Sequence, residues 1–221
     1  MAAFRRLLYT ALCAGLLCGV FAAGAHQLRT VPLILEAETY EQAAQHPNTA
    51  AEWEPENGIE RAAYTLAADI LTAIGFALLL AAGLTLRGGA VSWRDGLFWG
   101  LAGFATFTLA PGLGLPPEIP GTEAAPLAAR QLWWLVTVAS TGCALALLAF
   151  TRRPPYAALA ALLIVLPHFY GAPQPAEYAA VAPEALAHRF AEAATLVSFL
   201  FWAALGASTG YFYRRCGLRT G

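Results

Sequence analysis

Apolar residues in this chain come in blocks longer than one face of a helix or a half-buried strand needs. Six blocks stand out: about Leu7 to Ala25, Ala62 to Leu86, Leu97 to Leu113, Leu132 to Phe150, Tyr156 to Tyr170 and Phe190 to Tyr213. A helix needs roughly 20 apolar residues to cross the hydrocarbon core of a bilayer, and all but the fifth, which is short and bounded by prolines, come close to that length. The pattern predicts an all-α, polytopic membrane helix bundle with about six transmembrane helices, a single membrane domain over residues 1–221. The first block has a second reading. Arg5-Arg6, the apolar run and Ala23-Gly24-Ala25 also fit a cleavable signal peptide, which would leave five spans. Two features favour a retained helix: the run is long for a signal sequence, and Ala11, Gly15, Gly19 and Ala23 form a small-residue stripe at four-residue spacing, the pattern of close helix packing in lipid. Gly96/Gly100 and Gly206/Gly210 repeat the spacing.

The polar residues between the blocks are sorted by sign. Residues 26–61 form the longest polar stretch, with Glu36, Glu38, Glu41, Glu52, Glu54, Glu56 and Glu60. Within it, Glu36 to Glu41 predicts a short helix lying at the interface. Two further loops on that face are proline-rich, with Pro111, Pro116, Pro117 and Pro120, then Pro167, Pro173 and Pro175. Nine arginines (Arg5, Arg6, Arg87, Arg94, Arg152, Arg153, Arg214, Arg215, Arg219) and one carboxylate, Asp95, fall on the other side, whereas the loop face holds four arginines and thirteen carboxylates. The positive-inside rule then places both termini in the cytoplasm, and an even number of spans agrees. Three times an outward helix ends near proline, an acidic loop follows, and an arginine (Arg61, Arg130, Arg189) opens the returning helix. These three are expected to be structural charges.

Composition narrows the class. Of 221 residues, 58% are hydrophobic and 12% charged, about half the charged share of a soluble domain, and the mean hydropathy is +0.55. With no lysine, the chain lacks the residue a standard P-loop sets against nucleotide phosphates. None of the four cysteines lies in the acidic loops, so no structural disulfide is expected. Cys13 and Cys18, five apart, belong to different faces of one helix.

The candidate chemistry is sparse. Asp69 lies about two turns inside the second block, and a mid-membrane carboxylate costs about 2.5–3.5 kcal/mol on insertion scales. It should face the bundle interior, as a cation or proton site or in a structural pair with Arg61 or Arg130. Glu184, His188 and Glu192 stand four apart, on one helix face, and carboxylate with imidazole suits divalent first-row metals; an ordinary acidic helix start is the competing reading. His168 sits among prolines at a helix end, His26 closes the first block, and His46-Pro47-Asn48 reads as a turn. His26, His168, Glu184, His188 and Glu192 are the candidate metal ligands and Asp69 the candidate ion-pathway residue. Trp133, Trp134, Trp93, Trp99, Tyr211 and Tyr213 read as interfacial anchors. No catalytic motif and no basic nucleic-acid patch is present, so no enzyme is expected.

Several stretches resemble one known family. Phe4-Arg5-Arg6-Leu7-Leu8, Pro32-Leu33-Ile34-Leu35-Glu36-Ala37-Glu38-Thr39-Tyr40-Glu41, Gly112-Leu113-Gly114-Leu115-Pro116-Pro117-Glu118, Arg130-Gln131-Leu132-Trp133-Trp134 and Pro167-His168-Phe169-Tyr170-Gly171-Ala172-Pro173-Gln174-Pro175 are similar, in order, to the bacterial cobalt transporter subunit CbtA. The resemblance implies an inner-membrane protein of cobalt supply for cobalamin biosynthesis, with no permanently bound cofactor and with Co²⁺ as cargo; by the usual affinity order Ni²⁺ would suit the same ligands at least as well. It also implies a partner, CbtB, a small single-span protein with a histidine-rich segment, and five spans rather than six. Three readings make different structural demands. A transporter needs a polar line running from the histidines past Asp69. A non-conducting scaffold or assembly factor tolerates Asp69→Asn but not changes in the small-residue stripes. A membrane-embedded enzyme needs the His/Glu set to converge on an interfacial cleft.

Overall fold

The computed structural model describes residues 2–44, 55–151, 153–175 and 180–218. His46, Glu52, Glu54, Arg152, Glu177 and Arg219 lie outside the described residues. Seven helices follow in order: α1 (Ala2–Arg29), α2 (Val31–Ala44), α3 (Ile59–Arg87), α4 (Trp93–Phe104), α5 (Leu127–Phe150), α6 (Pro154–Tyr170) and α7 (Glu184–Leu218). Among the described residues no strand forms. Each apolar block therefore became a helix, and the acidic stretch around Glu36 to Glu41 became part of α2. Four helices, α1, α3, α5 and α7, are long and apolar enough to cross a membrane.

The other two blocks carry prolines, and proline shapes both. α4 runs on through a π-helical turn at Ala105–Leu109 and ends in the turn Ala110–Gly112. Pro111 has no N–H to offer four residues back and its ring crowds that turn. The backbone widens there, and the Ala110 N–H reaches five residues back to the Ala105 carbonyl. In the 17-residue α6, Pro167 lies inside the last turn, and the helix stops at Gly171, whose φ of 89° suits glycine.

The chain gathers into two compact units. One comprises Met1–Pro32, His46–Leu101 and Leu196–Gly221. Its helices approach at glycine. A Cβ at Gly15 would stand 2.5 Å from the Ile74 side chain, and one at Gly19 2.5 Å from the Ile70 Cα. The stripe on α1 is thus the contact with α3. Likewise Gly96 and Gly100 of α4 lie directly on the backbone of Gly206 and Gly210 of α7, where any added Cβ would collide. Such close contact lets backbones touch where lipid offers no hydrophobic drive for association. α4 itself begins with a reciprocal cap: Asp95 N–H donates to the Ser92 hydroxyl at 3.3 Å, and Ser92 N–H donates to the Asp95 carboxylate at 2.9 Å.

The second unit comprises Leu33–Gln45 and Ala102–Thr195. Leu33 and Ala37 of α2 bury against Ile119, Ala182 and Leu186, so α2 lays its apolar face on the proline-rich loops and the start of α7. α5 packs along α6. Trp133 is buried there and donates from its indole N–H to the Pro167 carbonyl at 3.1 Å. Trp133 is therefore a packing residue and not an interfacial anchor; so is Tyr213, which is buried in the first unit. Trp93 and Tyr211 stay about half exposed, as anchors should be.

Candidate functional site

Asp69 finds its partner on α1. Oδ2 of Asp69 lies 3.0 Å from Nδ1 of His26. α1 carries His26 in its last turn, while α3 carries Asp69 inward from Ile59. The glycine contacts at Gly19/Ile70 and Gly15/Ile74 hold the two helices close just beyond the pair. Neither Arg61 nor Arg130, the partners suggested by sequence, makes this contact.

The pair has definite chemistry. An ionised carboxylate only accepts, so the His26 ring donates from Nδ1. That fixes ring and tautomer and leaves Nε2 either as a lone pair or as a second N–H. Metal-binding histidines are commonly oriented by a carboxylate on the far nitrogen in this way. The Asp69 side chain is 16% exposed and that of His26 33%, so the carboxylate is screened while the imidazole keeps an open side.

Further polar contacts follow along α1. Cys18 Sγ lies 3.6 Å from the Ser208 hydroxyl of α7. Thr10 of α1 and Thr209 of α7 are fully buried. At the far end Arg6 donates from Nε to the Tyr213 carbonyl at 2.8 Å, with its guanidinium 3.6 Å above the Tyr213 ring, and the Tyr213 hydroxyl bonds Thr85 at 2.9 Å. At 1.5 Å per residue, Arg6 to His26 is about 30 Å, the thickness of a hydrocarbon core. Ala11, Ala14 and Ala22 pack between these groups with almost no exposure.

The other candidates belong to the second unit. His168, in the second unit, sets Nδ1 2.9 Å from the Ile164 carbonyl and Nε2 2.9 Å from the Ala110 carbonyl, with its ring edge-on to Trp133 at 5.8 Å. Both ring nitrogens face backbone carbonyls, so neither is turned toward a metal in this position. The histidine ties the end of α6 to the turn that follows the π-helical segment. Glu184 and His188 are 3.5 Å apart and largely exposed, and Glu192 is exposed one turn further along α7. Among the charges expected to be structural, Arg130 donates to Glu118 at 2.7 Å and Arg189 lies 4.0 Å from Glu36. Arg61 sits in the first turns of α3. Among the described residues, no three His, Cys, Asp or Glu side chains gather as a metal-binding group.

Sequence reasoning did not find the Cys18–Ser208 and Thr85–Tyr213 contacts. Small polar residues in apolar helices are common, and nothing in their local pattern names a partner. The Ser92–Asp95 cap did carry a signal, a serine followed three residues later by an acid just before an apolar run.

Four helices long and apolar enough to cross a membrane define a multi-pass helical membrane protein, with a histidine–carboxylate pair between two of them. The family described as "Probable cobalt transporter subunit (CbtA)" matches residues 4–214, nearly the whole chain, and the protein belongs to it. No curated protein and no solved structure matches the chain.

Proposed function

We propose that this protein is the membrane subunit of a divalent metal uptake system, with Co²⁺ as its cargo, and that the His26–Asp69 pair takes the ion into the bundle. The observation that carries the reading is the 3.0 Å contact between the two side chains. A neutral imidazole binds metal through Nε2 while Asp69 holds Nδ1–H; a protonated imidazole cannot bind metal. Metal binding therefore needs the neutral ring, and with it the Asp69 carboxylate gives the pair a negative charge that attracts a cation. Cobalt is indicated by the family; imidazole and carboxylate suit nickel as well.

In this reading the chain lies in the bacterial inner membrane with both termini cytoplasmic, as the arginine distribution requires. The acidic face concentrates cations, and the exposed Glu184, His188 and Glu192 on α7 are early, weak contacts for them. One imidazole does not complete a first-row metal site, so a small histidine-rich, single-span partner of the CbtB kind supplies the other ligands. Inward movement is favoured by the membrane potential, worth about 2.3 kcal/mol per charge per 100 mV and twice that for a divalent ion.

The test is radiolabelled cobalt uptake in cells without other cobalt importers. The chain is expressed alone, with its partner, and with its partner plus Asp69→Asn. Uptake that needs the chain and falls to background in the variant, at equal membrane abundance, is the expected result. Uptake indifferent to Asp69 would return the residue to a structural role. No uptake in any arm, with both proteins in the membrane, would favour the non-conducting scaffold.

A further inference from the structure

The second unit contains a cavity of about 790 Å³ that the transport reading does not use. Its rim lies where α5 begins. There Arg130 meets Glu118 of the proline-rich loop at 2.7 Å, and Gln131 stands beside them. Its walls are apolar: Phe107 from the π-helical turn, with Leu127, Trp134 and Leu135 from the first turns of α5. The ring centres of Phe107 and Trp134 are 6.2 Å apart. A charged rim above an apolar wall at the end of a membrane-spanning helix matches an amphiphile standing at the membrane–water boundary. The size lies within the ~300–1,000 Å³ range of small-ligand sites.

We infer that this cavity binds a zwitterionic phospholipid with a primary ammonium, the phosphatidylethanolamine type, headgroup at Arg130 and Glu118 and acyl chain along Phe107, Trp134 and Leu135. The charges at the rim select the headgroup. Each side chain is about 30% exposed, so each retains bonding capacity beyond the contact they share. Arg130 uses one of five N–H donors on Glu118 and has the others for a phosphodiester; Glu118 has a second oxygen for an ammonium. Charge-assisted bonds of both signs then form at once, without breaking the pair. An anionic lipid such as phosphatidylglycerol brings a phosphate for Arg130 but no ammonium for Glu118. A choline headgroup brings a cation without N–H donors. The π-helical turn has a part in this: by widening the helix ahead of Pro111 it sets Phe107 and Thr108 on the cavity wall. The inference is independent of the metal pathway.

The test uses the purified full chain in detergent, titrated by native mass spectrometry with phosphatidylethanolamine, phosphatidylglycerol and phosphatidylcholine of equal chain length. Phosphatidylethanolamine should bind tightest, as one copy. Arg130→Gln should weaken it about tenfold, the effect of losing one charge-assisted interaction. Glu118→Gln should invert the order, making phosphatidylglycerol the preferred lipid because the rim gains net positive charge. Circular dichroism checks that each variant keeps its helices; if Arg130→Gln does not fold, the inversion in Glu118→Gln decides alone. Equal binding of the three lipids by the unaltered protein, or an unchanged order in a folded Glu118→Gln protein, would overturn the assignment and leave only the ordinary lipid annulus.

Discussion

His26 and Asp69 act as one unit if the proposed pathway is right. Asp69→Asn removes the acceptor that orients the ring, and His26→Gln removes the ring. Either change should take cobalt uptake to background. Uptake lost in one variant and kept in the other would mean two separate roles. His168 should behave differently. His168→Ala removes the side-chain tie between the end of α6 and the Ala110 carbonyl and is expected to cost about 0.5–1.5 kcal/mol of stability, read as a lower unfolding temperature in detergent. Uptake per folded molecule should persist, because both ring nitrogens already face backbone carbonyls. Loss of uptake without loss of stability would restore His168 as a ligand. Asp95 is the clearest titrating group outside the spans. The bonds from Ser92, with the nearby Arg87, hold its carboxyl down at about 2 from the usual 3.8. A depressed folded value means that this stabilisation is complete above the unfolded value and lost as pH falls toward the folded one. The stability gap between the native protein and Asp95→Asn should therefore be constant above about pH 5 and close between about pH 4 and pH 2. A gap that persists unchanged to pH 2 would show that the cap does not depend on the ionised carboxylate.

Helix pairs in this protein are set by glycine. Gly206→Val drives a branched side chain into the backbone of Gly96 and Gly100 and should cost about 1–3 kcal/mol or more, since overpacking forces the backbones apart. Gly75, in α3, faces open space. Gly75→Ala should be neutral to stabilising by about 0.5–1 kcal/mol, because alanine is the better helix former. A thermal-unfolding comparison of the two in one detergent checks the assignment; equal effects would mean that the α4–α7 contact is not the tight one. Both stripes were visible as four-residue spacings. Spacing cannot say that Gly96/Gly100 meets Gly206/Gly210 while Gly15/Gly19 meets Ile70 and Ile74, since each small face fits any other.

At the scale of the whole molecule, α1 gives the first unit both His26 and the glycine face that receives α3. Intact mass of the purified protein should therefore include α1; a mass beginning after Ala25 would support the cleaved-signal reading. The proposed orientation, with both termini cytoplasmic, expects an inactive C-terminal alkaline phosphatase fusion and a bright C-terminal green fluorescent protein fusion. The reverse would overturn the proposed orientation.

Much of the architecture is local information. The six apolar blocks became helices because hydrocarbon leaves each backbone N–H and C=O no partner except its own helix, and that demand acts on each segment separately. Pro111 and Pro167 marked the irregular helix ends for the same reason, since a missing N–H is felt within one turn. Which side chains meet is a different kind of information. Asp69 had two arginines within plausible reach by sequence and pairs with a histidine. Trp133 matched an anchor by position and is buried. Such outcomes depend on which helices lie side by side and at what rotation, fixed jointly by close-packed contacts between residues far apart in the chain. Hydropathy and spacing along one helix carry no record of the neighbour's rotation, so the site took shape only when α1 and α3 were packed together.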